Sequence, residues 1–312
     1  MDAFLASLAD PFRHEFMQRA LLGCALIGFT NGCLSTFIVL RRLALMADAL
    51  AHSLLPGLAI AILLFGLAPG GLFLGALIAA LLVALGSQLI ANSSRIKEDT
   101  ALGLLFACSF SLGLVLLSIS PVRVEIHHYL FGNILGLSDA DLWTIYVVAI
   151  LVLPCLVALE RPLLLSMFEP SVAASQGVAV NAMNLILMGA LVLTMISSLQ
   201  AVGVILALGM LIAPAATVYL FSDSYSAMFW GGGILGMVGS CLGLLISFWL
   251  NLPSGSCIVL TLGVIFLLAL LLSPRYGLVS RWTRRRHLHE QSLARWDSVP
   301  PPGSGKHAHD HD

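Results

Sequence analysis

The sequence predicts an all-α, polytopic membrane helix bundle with about eight or nine transmembrane helices. Three observations predict it. The 312 residues are 59% hydrophobic and only 10% charged, well below the ~25% charged of soluble domains. The apolar residues are gathered in runs of about 20, and at 1.5 Å per helical residue such a run matches a ~30 Å hydrocarbon core. These runs are too long and continuous for barrel strands, so helices must satisfy the backbone in lipid.

Taken in order, residues 1–15 hold Asp2, Asp10, Arg13, His14 and Glu15 and read as an extracytoplasmic N-terminal segment. They lack the basic stretch and small-residue cleavage site of a signal peptide. Apolar segments follow at 16–40, 43–66, 70–92, 100–120, 139–159, 182–199, 202–221, 225–250 and 254–273, and 182–221 also reads as one span plus a partial one. The transmembrane domain is therefore 16–274. With the N-terminus outside, Arg41, Arg42, Arg95, Lys97, Arg161, Arg275, Arg281, Arg284, Arg285, Arg286, Arg295 and Lys306 fall inside, and only Arg13, Arg19 and Arg123 outside. Twelve basic residues against three put the C-terminus in the cytoplasm. Pro214, Pro253 and the glycines Gly231, Gly232, Gly233, Gly236, Gly239 and Gly243 predict close helix packing and a kinked or broken segment. Ser197, Ser198, Gln200, Thr217 and Ser247 are expected to make interhelical hydrogen bonds. Residues 275–312 form a cytoplasmic tail, basic at 281–286 beside lipid headgroups, disordered over 298–306, and ending in His307, His309 and His311.

Composition excludes several functions. Six cysteines lie singly in apolar segments with no CxxC pair, so they are buried thiols rather than a disulfide framework or a thiolate zinc site. No basic stripe with interleaved aromatics offers itself to nucleic acid. Gly303-Ser304-Gly305-Lys306 lacks the first glycine of a phosphate loop and follows prolines, so no nucleotide site is predicted in this chain. Gln18 stands where a zinc protease needs its second histidine after His14-Glu15, and an aspartyl protease needs two membrane carboxylates where only Asp48 is available. The chain reads as a non-enzyme.

Chemistry is concentrated in one stretch. Asp48 and His52 lie inside the apolar run 43–66, four residues apart and so one turn apart on one helix face. Counted from Arg41-Arg42 at the membrane surface, they sit roughly 9 Å and 15 Å deep. Ionisable side chains there are costly and face a bundle interior, a cavity or a transported ion. Pro56 cannot donate to the carbonyl of His52, which with Gly57 predicts a helix break. Asp plus His suits zinc, manganese or ferrous iron, and a second copy of the chain would raise two ligands to four. Ala44, Ala47 and Ala51 lie near the same face and would allow that copy to approach closely. The alternative is a pair bonded only to itself. In the 121–138 loop, Glu125, His127 and His128 are candidates for a first contact with incoming metal, or are simply interfacial polar residues. In the 160–181 loop, the stretch from Glu169-Pro170 to Gly177 reads as a short helix with proline in its first turn and glycine just past its end.

The run from Arg41 to Gly57 resembles the signature of the bacterial permease family that serves zinc, manganese and iron importers of the ATP-binding cassette type. Asp99-Thr100-Ala101-Leu102-Gly103, Tyr129-Leu130-Phe131-Gly132-Asn133-Ile134-Leu135, Glu169-Pro170 with Ala173 and Gly177, Ile212-Ala213-Pro214-Ala215-Ala216 and Pro253-Ser254-Gly255 match in the same order, over roughly 16–273. The resemblance implies a permease subunit in the bacterial plasma (inner) membrane. It implies as partners a second copy, a separate cytoplasmic ATPase and an extracytoplasmic solute-binding protein. It also implies a coupling helix at about 168–178, with Glu169, Pro170, Ala173 and Gly177 at the ATPase, and a transported divalent metal, zinc or manganese, with no cofactor bound permanently. Zinc, manganese and iron all accept Asp and His, and the C-terminal histidines lean towards zinc. A self-contained secondary carrier or channel for divalent metal would use the same Asp48 and His52; the coupling-helix pattern and the ordered landmarks favour the permease.

Overall fold

The computed structural model describes residues 10–66, 68–119 and 134–273, and all its regular elements are helical. Beside two short 3-10 helices, Asp10–Arg13 before α1 and Ile134–Gly136 before α6, the helices are α1 Glu15–Arg41, α2 Ala44–Ser53, α3 Leu55–Phe65, α4 Pro69–Ser93, α5 Glu98–Ser118, α6 Asp139–Ala158, α7 Glu160–Phe168, α8 Pro170–Ser175, α9 Val180–Val202, α10 Val204–Tyr219, α11 Tyr225–Leu250 and α12 Ser254–Leu272. Among the described residues eight stretches are long and apolar enough to cross a membrane, with α2 and α3 counted as one, while α10 is shorter. Glu125, His127 and His128, the N-terminal nine residues and the tail from 274 lie outside the described residues.

The bundle is built on α1. Its apolar window is 72% covered, against 17% for α5, so α1 is the axis and α5 a peripheral helix. The reason is partly a lack of side chains. A Cβ on Gly32 would stand 2.2 Å from the Gly232 carbonyl oxygen, and one on Gly236 would stand 2.2 Å from that of Gly28. Only glycine lets α1 and α11 approach until their backbones touch. The pairing 32 with 232 and 28 with 236 continues to Ser240, whose Oγ donates to the Cys24 carbonyl at 3.0 Å, so α11 runs antiparallel to α1.

The nearly continuous run 182–221 is a hairpin. Arg41 Nη2 donates to Asn184 Oδ1 and Asn31 Nδ2 donates to Ser198 Oγ at 2.9 Å, which sets α9 antiparallel to α1. Gly203, at φ +80, then reverses the chain in one residue. α10 returns parallel to α1, and the Ala215 N–H beside Pro214 donates to Ser35 Oγ at 3.0 Å. Ser198 is level with Asn31, ten residues from the end of α1, and Gly203 lies five residues further on, so the tip sits roughly 22 Å from the Arg41 end of an α1 roughly 40 Å long. Both ends of this hairpin therefore emerge on the side of Arg41. The expected interhelical role holds for Ser198. Thr217 donates instead to Ala213 in its own helix, and Ser247 to Leu252 just past the end of α11.

On the same side as Arg41, α7 and α8 form the connection between α6 and α9. Glycine closes α8: Gly177 takes φ +82, its N–H donates to Ala174 and the Val178 N–H to Ala173 at 2.9 Å. This is a left-handed helix cap that residues with a Cβ resist.

Candidate metal site on the broken helix

Arg42 ends α1 in the left-handed region at φ 58, with its N–H on the Val39 carbonyl and the Leu43 N–H on that of Ile38. Only Arg42 and Leu43 separate α1 from α2. The run 43–66 is then broken at Leu54, where α2 ends and α3 begins with Pro56 in its first turn. The break is not left open. Ser109 Oγ of α5 donates to the Ser53 carbonyl at 3.1 Å, replacing a bond that the interrupted helix no longer supplies. Gly113 allows α5 to lie directly over the break, since a Cβ there would be 2.8 Å from the Pro56 nitrogen. Gly57 serves packing as well: a Cβ on it would stand 2.0 Å from the Gly75 carbonyl of α4.

Asp48 and His52 are carried by α2 on the face that the chain leaves uncovered. The side chain of Asp48 is 50% exposed and that of His52 29%, beside Leu45 at 84%. The alanines behave differently from expectation. Ala47 and Ala51 are fully buried within the chain, because small residues let α2 sink against its own neighbours. The exposed surface of α2 is thus Leu45, Asp48 and His52 rather than the alanine stripe.

His52 Nε2 and Asp48 Oδ1 are 3.7 Å apart, beyond the 2.7–3.2 Å of a hydrogen bond. Among the described residues neither side chain has a hydrogen-bond partner. The pair does not satisfy itself. Two ligands each about 2.1 Å from one tetrahedral ion stand about 3.4 Å apart, so a small closure of this pair would chelate a metal. The imidazole is walled by Phe106 and Phe110 of α5, with ring centroids at 6.1 and 5.8 Å and Phe110 edge-on. Aromatic walls restrict its rotation and exclude water on that side.

Asp48 also lines a cavity of about 270 Å³ with Arg42, Leu45, Asp99, Gly103 and Phe106. Asp99 was visible in the sequence only as part of a landmark. It occupies the first turn of α5, where the helix dipole favours a carboxylate, and the same cavity brings it to the Asp48 side. A larger apolar groove of about 610 Å³ lies between α3, α4 and α5. Its lining offers no carboxylate or imidazole, whereas the smaller cavity holds both Asp48 and Asp99. Among the described residues no group of three or more His, Cys, Asp or Glu side chains surrounds a common point.

Of the residues singled out in the 160–181 loop, Glu169, Pro170 and Gly177 are exposed and Ala173 is fully buried, anchoring α8 to the bundle. Sequence reasoning missed the apolar side chains presented outward beside them, Phe168 at 60% and Val172 at 39% exposure. Exposed apolar residues on a polar connector were the available signal.

Residues 13–273 match the model of the ABC 3 transport family. The manganese transport system membrane protein MntC of Listeria innocua is 38% identical over 272 residues, covering 87% of this chain and 96% of that protein. The manganese import system permease protein ScaB of Streptococcus parasanguinis is 40% identical over 261 residues, covering 84% and 92%. In the solved structure of PsaBC from Streptococcus pneumoniae in complex with Fab, one chain superposes with a TM-score of 0.78 at 33% identity, covering 91% of this chain and 99% of its own. A family match across almost all of the described bundle, with relatives above 30% identity along nearly their whole length, leaves one conclusion: this chain belongs to the ABC 3 transport family.

Proposed function

We propose that this protein is the membrane-spanning permease of an ATP-driven importer, and that its cargo is manganese. The observation that carries the reading is the Asp48–His52 pair, 3.7 Å apart and without another partner, on the uncovered face of a broken membrane helix. Relatives named for manganese transport support the choice of metal. An oxygen–nitrogen ligand set accepts manganese and needs no thiolate.

Two copies of the chain face each other across Leu45, Asp48 and His52, and each contributes one carboxylate and one imidazole to a four-ligand site. Metal arrives from an extracytoplasmic solute-binding protein. It is held between the copies and leaves past Asp99 towards the cytoplasm, where a separate ATPase docks on α8 through Phe168 and Val172. The basic residues orient the chain with its N-terminus outside and its C-terminus in the cytoplasm of a bacterial cell. Glu125, His127 and His128 remain candidates for first contact with metal outside.

The test is the manganese, zinc and iron content of cells expressing the complete transporter, comparing wild type with Asp48→Ala and His52→Ala at equal membrane abundance. Manganese alone is expected to fall in both variants, by more than ~10-fold, since loss of a ligand costs at least as much as loss of its supporting shell. Unchanged metal content in both variants would mean that the pair is structural.

A further inference from the structure

The proposed permease needs a path from α8, on the cytoplasmic side, to the metal ligands on α2. One side-chain contact supplies it. α8 ends at Ser175, and Asn184 lies in the second turn of α9, where its Oδ1 accepts a hydrogen bond from Arg41 Nη2. Both side chains are half-buried, so water competes poorly for the contact. Arg41 therefore links α1 and α9 at a single point.

Beyond Arg41 the chain has no slack. Arg42 and Leu43 are tied back to α1 by N–H bonds of 3.2 and 2.9 Å, and α2 begins at the next residue. A displacement of Arg41 is carried directly into α2. Asp48 follows seven residues after Arg41, and His52 rests against Phe106 and Phe110 of α5. Pulling Arg41 with α9 moves α2 against α5 and so changes the spacing of the two ligands.

We infer that the Arg41–Asn184 contact is the strut through which movement of α8 reaches Asp48 and His52, making Arg41 and Asn184 positioning residues for transport. The inference rests on the permease reading. Its test uses the complete transporter, permease with its ATPase, in lipid vesicles, with manganese uptake and ATP hydrolysis measured together for wild type, Arg41→Ala, Asn184→Ala, the double variant and Asn184→Asp. Hydrolysis is expected to stay within about twofold of wild type while the ATP consumed per manganese ion moved rises at least tenfold in each alanine variant. The double variant should be no worse than either single one, because they remove the same contact. Asn184→Asp, which still accepts from the guanidinium, should restore the wild-type ratio. If Arg41→Ala does not assemble, Asn184→Ala and Asn184→Asp carry the same comparison. Uptake and hydrolysis falling in constant proportion, or an unchanged ratio in both alanine variants, would overturn the strut. Wild-type vesicles that move no divalent metal would instead overturn the permease reading.

Discussion

At Asp48 and His52, the decisive number is a separation too long for a hydrogen bond and close to the span of two ligands on one ion. The walls of the imidazole come from α5, so its orientation should depend on Phe110. Phe110→Ala is expected to weaken manganese binding by about tenfold, as loss of ligand support does, read by equilibrium binding to the purified transporter; unchanged affinity would assign the ring to packing alone. The pair itself was legible in the sequence, because ionisable residues four apart in an apolar run stand out. Its surroundings were not. Phe106, Phe110 and Ser109 belong to a helix that follows more than forty residues later, and apolar or hydroxyl residues there look like any other span. Arg42 was readable as a charge at the membrane surface but not as a left-handed cap, since that conformation is normally announced by glycine.

Among the elements, two kinds of break organise the bundle. Pro56 interrupts the second span, and Gly203 folds the run 182–221 into a hairpin whose tip lies part-way along α1. The first was expected from proline chemistry. The second was read as two segments, 182–199 and 202–221, or as one span plus a partial one; the depth of the tip was not legible, because it is set by contacts such as Asn31 with Ser198 that sequence spacing does not reveal. Close packing of α1 and α11 follows from glycines foreseen on α11, although their partners Gly28 and Gly32 were not singled out. Gly32→Ala places a Cβ 2.2 Å from the Gly232 carbonyl, so the helices must separate, at a cost of roughly 1–3 kcal/mol. The detergent-solubilised protein should melt earlier. Gly189→Ala, with nothing within 4 Å of its added Cβ, should raise the melting temperature, as removing a mid-helix glycine gains about 0.5–1 kcal/mol. Equal effects of the two substitutions would contradict the backbone contact.

Across the whole molecule, the architecture was the most legible part: 10% charge and runs of about 20 apolar residues dictate a membrane helix bundle with little ambiguity. What the pattern concealed was which surfaces face inward. Ala47 and Ala51 looked like a seam for a second copy and are buried within the chain, whereas Leu45, Asp48 and His52 are left open. A single chain thus presents the two proposed ligands on an uncovered face, and the proposed transport site is complete only when two such faces meet. The direct measurement is manganese binding stoichiometry for the purified transporter, wild type and His52→Ala. One ion per two permease chains, lost in the variant, is the predicted result. One ion per chain, or binding that survives the substitution, would contradict a site shared between two copies of Asp48 and His52.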